Sequence, residues 1–174
     1  FHLRWGVGMN IPVYCPPDSE GCADLYKHPG IFEFLPQSKF EPFEVDGFLL
    51  TPLPLIHSKV TFGYAIESKA ENSIKVCYLT DTVGLPARTL DFLQDWKPNG
   101  MVIDCTDPPV TQDQSKGRNH NDWDQALSLI NLINPEKAWL THLGHRCDSW
   151  VMNEQPALPT NVQIAHDGMV VEFI

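Results

Sequence analysis

The chain has 174 residues, about one domain at roughly 150 residues per domain. Twelve Lys and Arg against 22 Asp and Glu leave a net charge of −10 and a pI near 5.0, which argues against a general binder of nucleic-acid backbone, because counterion release needs a basic stripe. With 43% hydrophobic and 20% charged residues the composition is that of a packed globular domain rather than a disordered segment, and no apolar run reaches the roughly 20 residues of a membrane-spanning helix.

The first residues, Phe1-His2-Leu3-Arg4-Trp5-Gly6, carry no initiator Met, no basic segment and no apolar signal, so the start reads as the interior of something longer. Ile11 to Tyr14 predicts a short strand closed by Pro16-Pro17. Asp18 and Ser19 would cap a following helix carrying Cys22, Leu25 and Tyr26, ended by Pro29-Gly30. Phe43 to Leu55 alternates around Asp46-Gly47, a hairpin signal. Val60 to Ile66 and Ile74 to Thr80 are β-rich runs.

Pro86 then opens a helical pattern with Leu90, Phe92, Leu93 and Trp96 on its apolar positions, stopped by Pro98-Asn99-Gly100. Met101 to Ile103 predicts a buried strand. Asp122 to Ile133 is the strongest helix, with Trp123, Ala126, Leu127, Ile130 and Ile133 on one stripe and Pro135 beyond its end. Ala138 to Leu140 predicts a strand, Ser149 to Asn153 a short helix, and Val162 to Ile174 a final hairpin turning at Asp167-Gly168. Hairpins followed by alternating strands and helices predict a layered α/β domain.

Five cysteines, Cys15, Cys22, Cys77, Cys105 and Cys147, are scattered with no C-x-x-C among them, so no zinc ribbon is encoded. Cys77 and Cys105 lie in apolar runs, where a buried inert thiol is the commonest role. Without a secretory signal, a reducing cytoplasm is the expected compartment.

Candidate chemistry recurs at strand ends. His57 follows Leu53-Pro54-Leu55-Ile56, Asp81 follows Val76 to Thr80, and His142 follows Ala138 to Thr141, with His145 three residues on. His120 lies in Arg118-Asn119-His120-Asn121-Asp122, just before the strongest helix, and Asp104 and Asp107 flank Cys105-Thr106 at another strand end as lining or turn residues. A single histidine at a strand end is more often a hydrogen-bonded surface residue than a ligand. Asp81-Thr82 alone reads equally as a turn or cap. The repetition matters: apolar strands that each deliver one His or Asp at the tip can surround one ion. The loops of P-loop, nucleophile-elbow and Rossmann proteins have no counterpart here.

The strings Leu3-Arg4-Trp5-Gly6-Val7-Gly8, Pro52-Leu53-Pro54-Leu55-Ile56-His57-Ser58-Lys59, Thr61-Phe62-Gly63-Tyr64, Leu79-Thr80-Asp81-Thr82-Val83-Gly84-Leu85-Pro86, Arg118-Asn119-His120 and Leu140-Thr141-His142-Leu143-Gly144-His145 resemble, in order and along nearly the whole chain, the PhnP-type phosphoribosyl cyclic phosphodiesterases of the metallo-β-lactamase superfamily. The resemblance implies an αββα sandwich with two divalent metal ions, manganese or alternatively zinc, at one edge of the sheets. It implies that His57 ligates one metal, Asp81 bridges both, His142 ligates the other, and His120 assists proton transfer to the leaving group. It implies that His145 joins N-terminal cysteines in a separate structural zinc site. The family's H-x-H-x-D-H motif and its cysteine cluster occur nowhere in this sequence. The expectation is therefore a single metallo-β-lactamase-like domain over residues 1–174, N-terminally truncated, with little activity on its own.

The activity implied is hydrolysis of phosphoribosyl 1,2-cyclic phosphate to ribose 1,5-bisphosphate in phosphonate breakdown. An RNA-processing nuclease of the same superfamily and a catalytically incompetent metal-binding fragment are the rivals. The expected partner is a small cyclic phosphodiester, with no nucleic acid, no membrane and room for a homodimer.

Overall fold

The computed structural model describes residues 10–17, 31–70, 72–110 and 117–173. The helix predicted around Cys22, Leu25 and Tyr26 lies outside them. Among the described residues nine strands and three helices follow in chain order: β1 (Ile11–Cys15), β2 (Phe32–Pro36), β3 (Phe43–Val45), β4 (Phe48–Pro54), β5 (Phe62–Ser68), β6 (Lys75–Leu79), α1 (Ala87–Trp96), β7 (Gly100–Asp104), α2 (Trp123–Ile133), β8 (Lys137–Thr141), α3 (His145–Glu154) and β9 (Val162–Ile164). The expected α/β class holds. Among the described residues no helix is long and apolar enough to cross a membrane.

Strands β3 to β9 form one seven-stranded sheet in sequence order. β3, β4, β5 and β6 are joined antiparallel, and β6, β7, β8 and β9 are joined parallel. Because β4 and β6 both run antiparallel to β5, β4, β6, β7 and β8 all end at the same edge. The β3–β4 turn is the expected one: Asp46 (φ 47°) and Gly47 (φ 85°) both take the left-handed conformation that a two-residue turn matching the strand twist requires.

One face of the sheet carries the core. Leu53, Ala65, Cys77, Leu79, Met101, Ile103, Ala138 and Leu140 are fully buried beside Leu93 of α1 and Ala126, Ile130 and Ile133 of α2. Strict alternation along β5 and β6 puts Tyr64 and Tyr78 on the other face. There Tyr64 donates its hydroxyl to the Tyr14 carbonyl (2.9 Å) and Tyr14 stacks on Phe43, tying in the parallel β1–β2 pair. Gly63 permits a close approach: a Cβ there would sit 2.7 Å from the Tyr78 carbonyl oxygen.

Three elements differ from expectation. β2 adds a strand that the sequence reading lacks. α3 begins at His145, four residues before the expected Ser149, because Gly144 supplies an extended cap without any side-chain cap bond. The final hairpin is absent among the described residues. The turn at Asp167-Gly168 forms (Gly168 φ 78°; Met169 N–H to the His166 carbonyl, 3.1 Å), but β9 pairs with β8 alone. The segment after the turn crosses the sheet instead, with the Phe173 ring edge-on to Trp139 and Lys137 Nζ donating to the Glu172 carbonyl.

Candidate metal centre

The shared strand edge gathers the site. His57 stands three residues beyond β4, Asp81 two beyond β6, Asp104 is the last residue of β7, and His142 follows β8 directly. Asp81 (φ 60°) and His142 (φ 61°) both hold left-handed backbone, uncommon for non-glycine residues and concentrated at functional sites. Each strand therefore ends in a sharp turn that swings its polar side chain over the edge.

The loops are fastened by buried polar residues. The Thr82 hydroxyl accepts from the Ile56 N–H (3.2 Å) and donates to the Gly84 carbonyl (2.8 Å), which sets the His57 loop against the Asp81 loop. Asn121, fully buried, accepts from Gly84 N–H (2.7 Å) and donates to the Asp104 carbonyl (3.2 Å). Arg118 bridges Asp107 (2.7 Å) and Asp122 (2.9 Å), and Asp122 caps α2 through Gln125 N–H. His120 is thus held between two anchored neighbours.

Asp81, Asp104, His120 and His142 each offer one ligand atom, and these atoms lie within 4.8 Å of one another. Asp104 is fully buried, and its carboxylate accepts from Thr82 N–H (3.2 Å) and Thr106 Oγ1 (2.9 Å) and lies 2.7 Å from His120 Nδ1. Because an ionised carboxylate only accepts, His120 Nδ1 carries the proton in that bond, and its Nε2 is left to act on something else. The His120 ring stacks on His142 (4.8 Å) and stands 5.3 Å from that of His57.

Thr106 decides the state of His142. Its single proton goes to the strongest acceptor, the Asp104 carboxylate, so His142 Nδ1, 2.8 Å from Thr106 Oγ1, is the donor in their bond. His142 Nε2 then presents a lone pair 3.3 Å from Asp81 Oδ1. Two acceptors that close repel unless a cation or a proton lies between them. His57 Nδ1 is buried with no hydrogen-bond partner, a state that costs about 1–3 kcal/mol and that a further ligand or acceptor would relieve. This donor set, imidazole and carboxylate at one rim, fits a divalent metal.

Four sequence-named residues, His57, Asp81, His120 and His142, meet at this edge. His145, the first residue of α3, is exposed and stands apart from the group. Asp104, read from sequence only as a lining or turn residue, is its buried centre. Thr82, Thr106 and Asn121 were not singled out as site residues, although Asn121 stands in the Arg118–Asp122 string.

Beneath the site, Cys105 and Cys147 are both buried. The Cys105 thiol donates to Cys147, and that bond, burial, and the negative charge of Cys147 and the nearby carboxylates push Cys105 far up. The same bond pulls Cys147 down.

Residues 1–143 match the family model described as beta-lactamase superfamily domain, and the chain belongs to that superfamily. Among solved structures it is similar to a diphosphatase from the PhnP family (22% identity, TM-score 0.71, covering 98% of this chain and 62% of that one). The metallo-β-lactamase fold protein YhfI from Bacillus subtilis is similar at 19% identity and TM-score 0.70, covering 92% and 64%. Human tRNase Z, short form, is similar at 17% identity and TM-score 0.66, covering 95% and 68%. The chain thus spans less than two thirds of the length of the first two. No curated protein sequence matches it.

Proposed function

We propose that this chain supplies part of a divalent-metal phosphodiesterase site of the PhnP type, acting on a phosphoribosyl 1,2-cyclic phosphate. The observation that carries this reading is the approach of His142 Nε2 to Asp81 Oδ1 at 3.3 Å beside a His120 already fixed by Asp104. His57, Asp81 and His142 would hold the metal ions. Such ions, when bound, neutralise the diester oxygens and acidify a water.

The remaining chemistry belongs to the chain's own residues. His120, with Nδ1–H bonded to Asp104, presents Nε2 toward the reaction space and in its protonated form delivers a proton to the departing sugar oxygen. Asp104 fixes the ring's tautomer and steadies its positive charge, while its burial keeps the carboxylate from swinging away. A net charge of −10 favours a small anionic substrate drawn by local cations over an RNA chain.

The test uses leaving groups. A protein that joins this chain to an H-x-H-x-D-H segment should hydrolyse bis(p-nitrophenyl) phosphate and the cyclic ribosyl phosphate with manganese. His120→Ala should slow the sugar ester about 10²–10⁴-fold and the nitrophenyl ester far less, since a stabilised phenolate leaves unaided. Equal losses on both would remove His120 as the acid, and a metal-independent rate would remove the reading altogether.

A further inference from the structure

We infer that the groove beside His57 seats a phosphate monoester, the second anionic group of a sugar-phosphate substrate, and this assignment deepens the phosphodiesterase reading on which it rests. The groove has a volume of about 920 Å³ and is lined by Lys39, Lys59, Arg88, Phe40, Phe62 and His57, with Glu41 as its one carboxylate among the described residues. In a chain with 22 acidic and 12 basic residues, three cations against one acid at the metal rim is a local reversal of sign.

The cations come from three separate segments: Lys39 from the β2–β3 connection, Lys59 from the β4–β5 loop that carries His57, and Arg88 from the first turn of α1. Elsewhere Lys69 and Arg118 are held by carboxylates. Lys39, Lys59 and Arg88 have none within 4 Å among the described residues. Arg88 is nevertheless placed, its guanidinium carbon lying 4.1 Å over the Phe40 ring. That stacking fixes the plane of the fork and leaves its N–H groups at the edge, the geometry that grips phosphate in two bonds. Phe40 is itself braced, with its N–H on the Pro52 carbonyl (2.8 Å) and its ring against Phe92. The first turn of α1 contains no acid, so its free N–H groups add to the positive field. A ligand with the diester at the metal rim and a monoester here would lay its sugar along Phe62 and His57.

The experiment titrates the 174-residue chain, with EDTA present, with ribose 5-phosphate, inorganic phosphate and ribose by calorimetry, and repeats it on Arg88→Gln, Lys59→Gln and Arg88→Lys. Ribose 5-phosphate should bind, ribose should not, and each glutamine variant should weaken binding at least about tenfold, with Arg88→Lys intermediate. Inorganic phosphate weakened in parallel would show that the site reads the phosphate alone and still supports it. No binding of ribose 5-phosphate, or binding indifferent to both glutamine variants, overturns the assignment. Zinc titrations of the same proteins separate the two ideas. Metal binding without the Arg88 and Lys59 dependence removes the groove and spares the metal site. The dependence without metal binding does the reverse.

Discussion

Asp104 Oδ2 lies 2.7 Å from His120 Nδ1, and the aspartate is wholly buried while the histidine reaches solvent. A buried carboxylate that accepts from Thr82 N–H, Thr106 Oγ1 and His120 Nδ1 acts as an orienting anion. Asp104→Asn keeps the shape but turns an amide toward groups that all need an acceptor. Metal affinity of the chain, measured by calorimetry with zinc, should fall about 10–100-fold, and stability should drop by about 1–3 kcal/mol. A variant with unchanged affinity would mean that His120 is oriented by something else.

Metal itself should stabilise the fold. Asp81 Oδ1 and His142 Nε2 stand 3.3 Å apart in the folded chain alone, so a cation bound between them stabilises the native state and not the unfolded one. At a hundredfold excess over Kd the gain is about 2.7 kcal/mol, read as a rise in Tm after EDTA-treated protein receives zinc or manganese. Asp81→Asn and His142→Ala should each abolish most of that rise. His145→Ala should leave it intact, because that residue stands outside the group.

Asn121 joins three loops through Gly84, Asp104 and Thr106, whose N–H donates to the Asn121 carbonyl (2.9 Å). Asn121→Ala removes the first two of these bonds and strands a buried donor and a buried acceptor. The expected cost is about 2–4 kcal/mol, roughly 5–15 °C in Tm for a domain of this size. Zinc affinity should fall with it, since His57, Asp81 and His120 depend on the loops it ties. A Tm within one or two degrees of the parent would show that water replaces the amide without loss.

The strands that position the site were legible because their cores are apolar and their tips polar, a contrast that survives without any neighbour. His57, Asp81 and His142 stood out for that reason. Asp104 carries the same signature, but Asp107 two residues past Cys105 carried it too, and only burial distinguishes them. Asn121 and Thr82 were opaque because their importance lies in partners 17 to 37 residues distant. α3 began early because a backbone contact, Gly144 N–H to the Thr106 carbonyl (3.0 Å), replaces the side-chain cap that sequence can show. A Cβ on Gly144 would sit 2.8 Å from that carbonyl oxygen.

Cys77 links the core to pH. It is completely buried in the middle of β6, and burial pushes its thiol far above the ordinary value of 9.0. A raised folded pKa means that the neutral thiol is the native form. The stability it contributes is therefore present below pH 9 and declines above it, as the unfolded chain gives up a proton that the native chain keeps. Between pH 8 and pH 10 the loss from this one group is about 1.4 kcal/mol. Urea midpoints for the parent and Cys77→Ala at both pH values isolate it: the variant should be less stable at pH 8, for want of packing, and should lose less on the way to pH 10. Ellman's reagent provides the kinetic counterpart, since Cys77 should react only as fast as the core opens. Parallel pH dependence in the two proteins would mean that Cys77 is ionised or solvated in the native state, and with it that this face of the sheet is less tightly closed than its packing indicates.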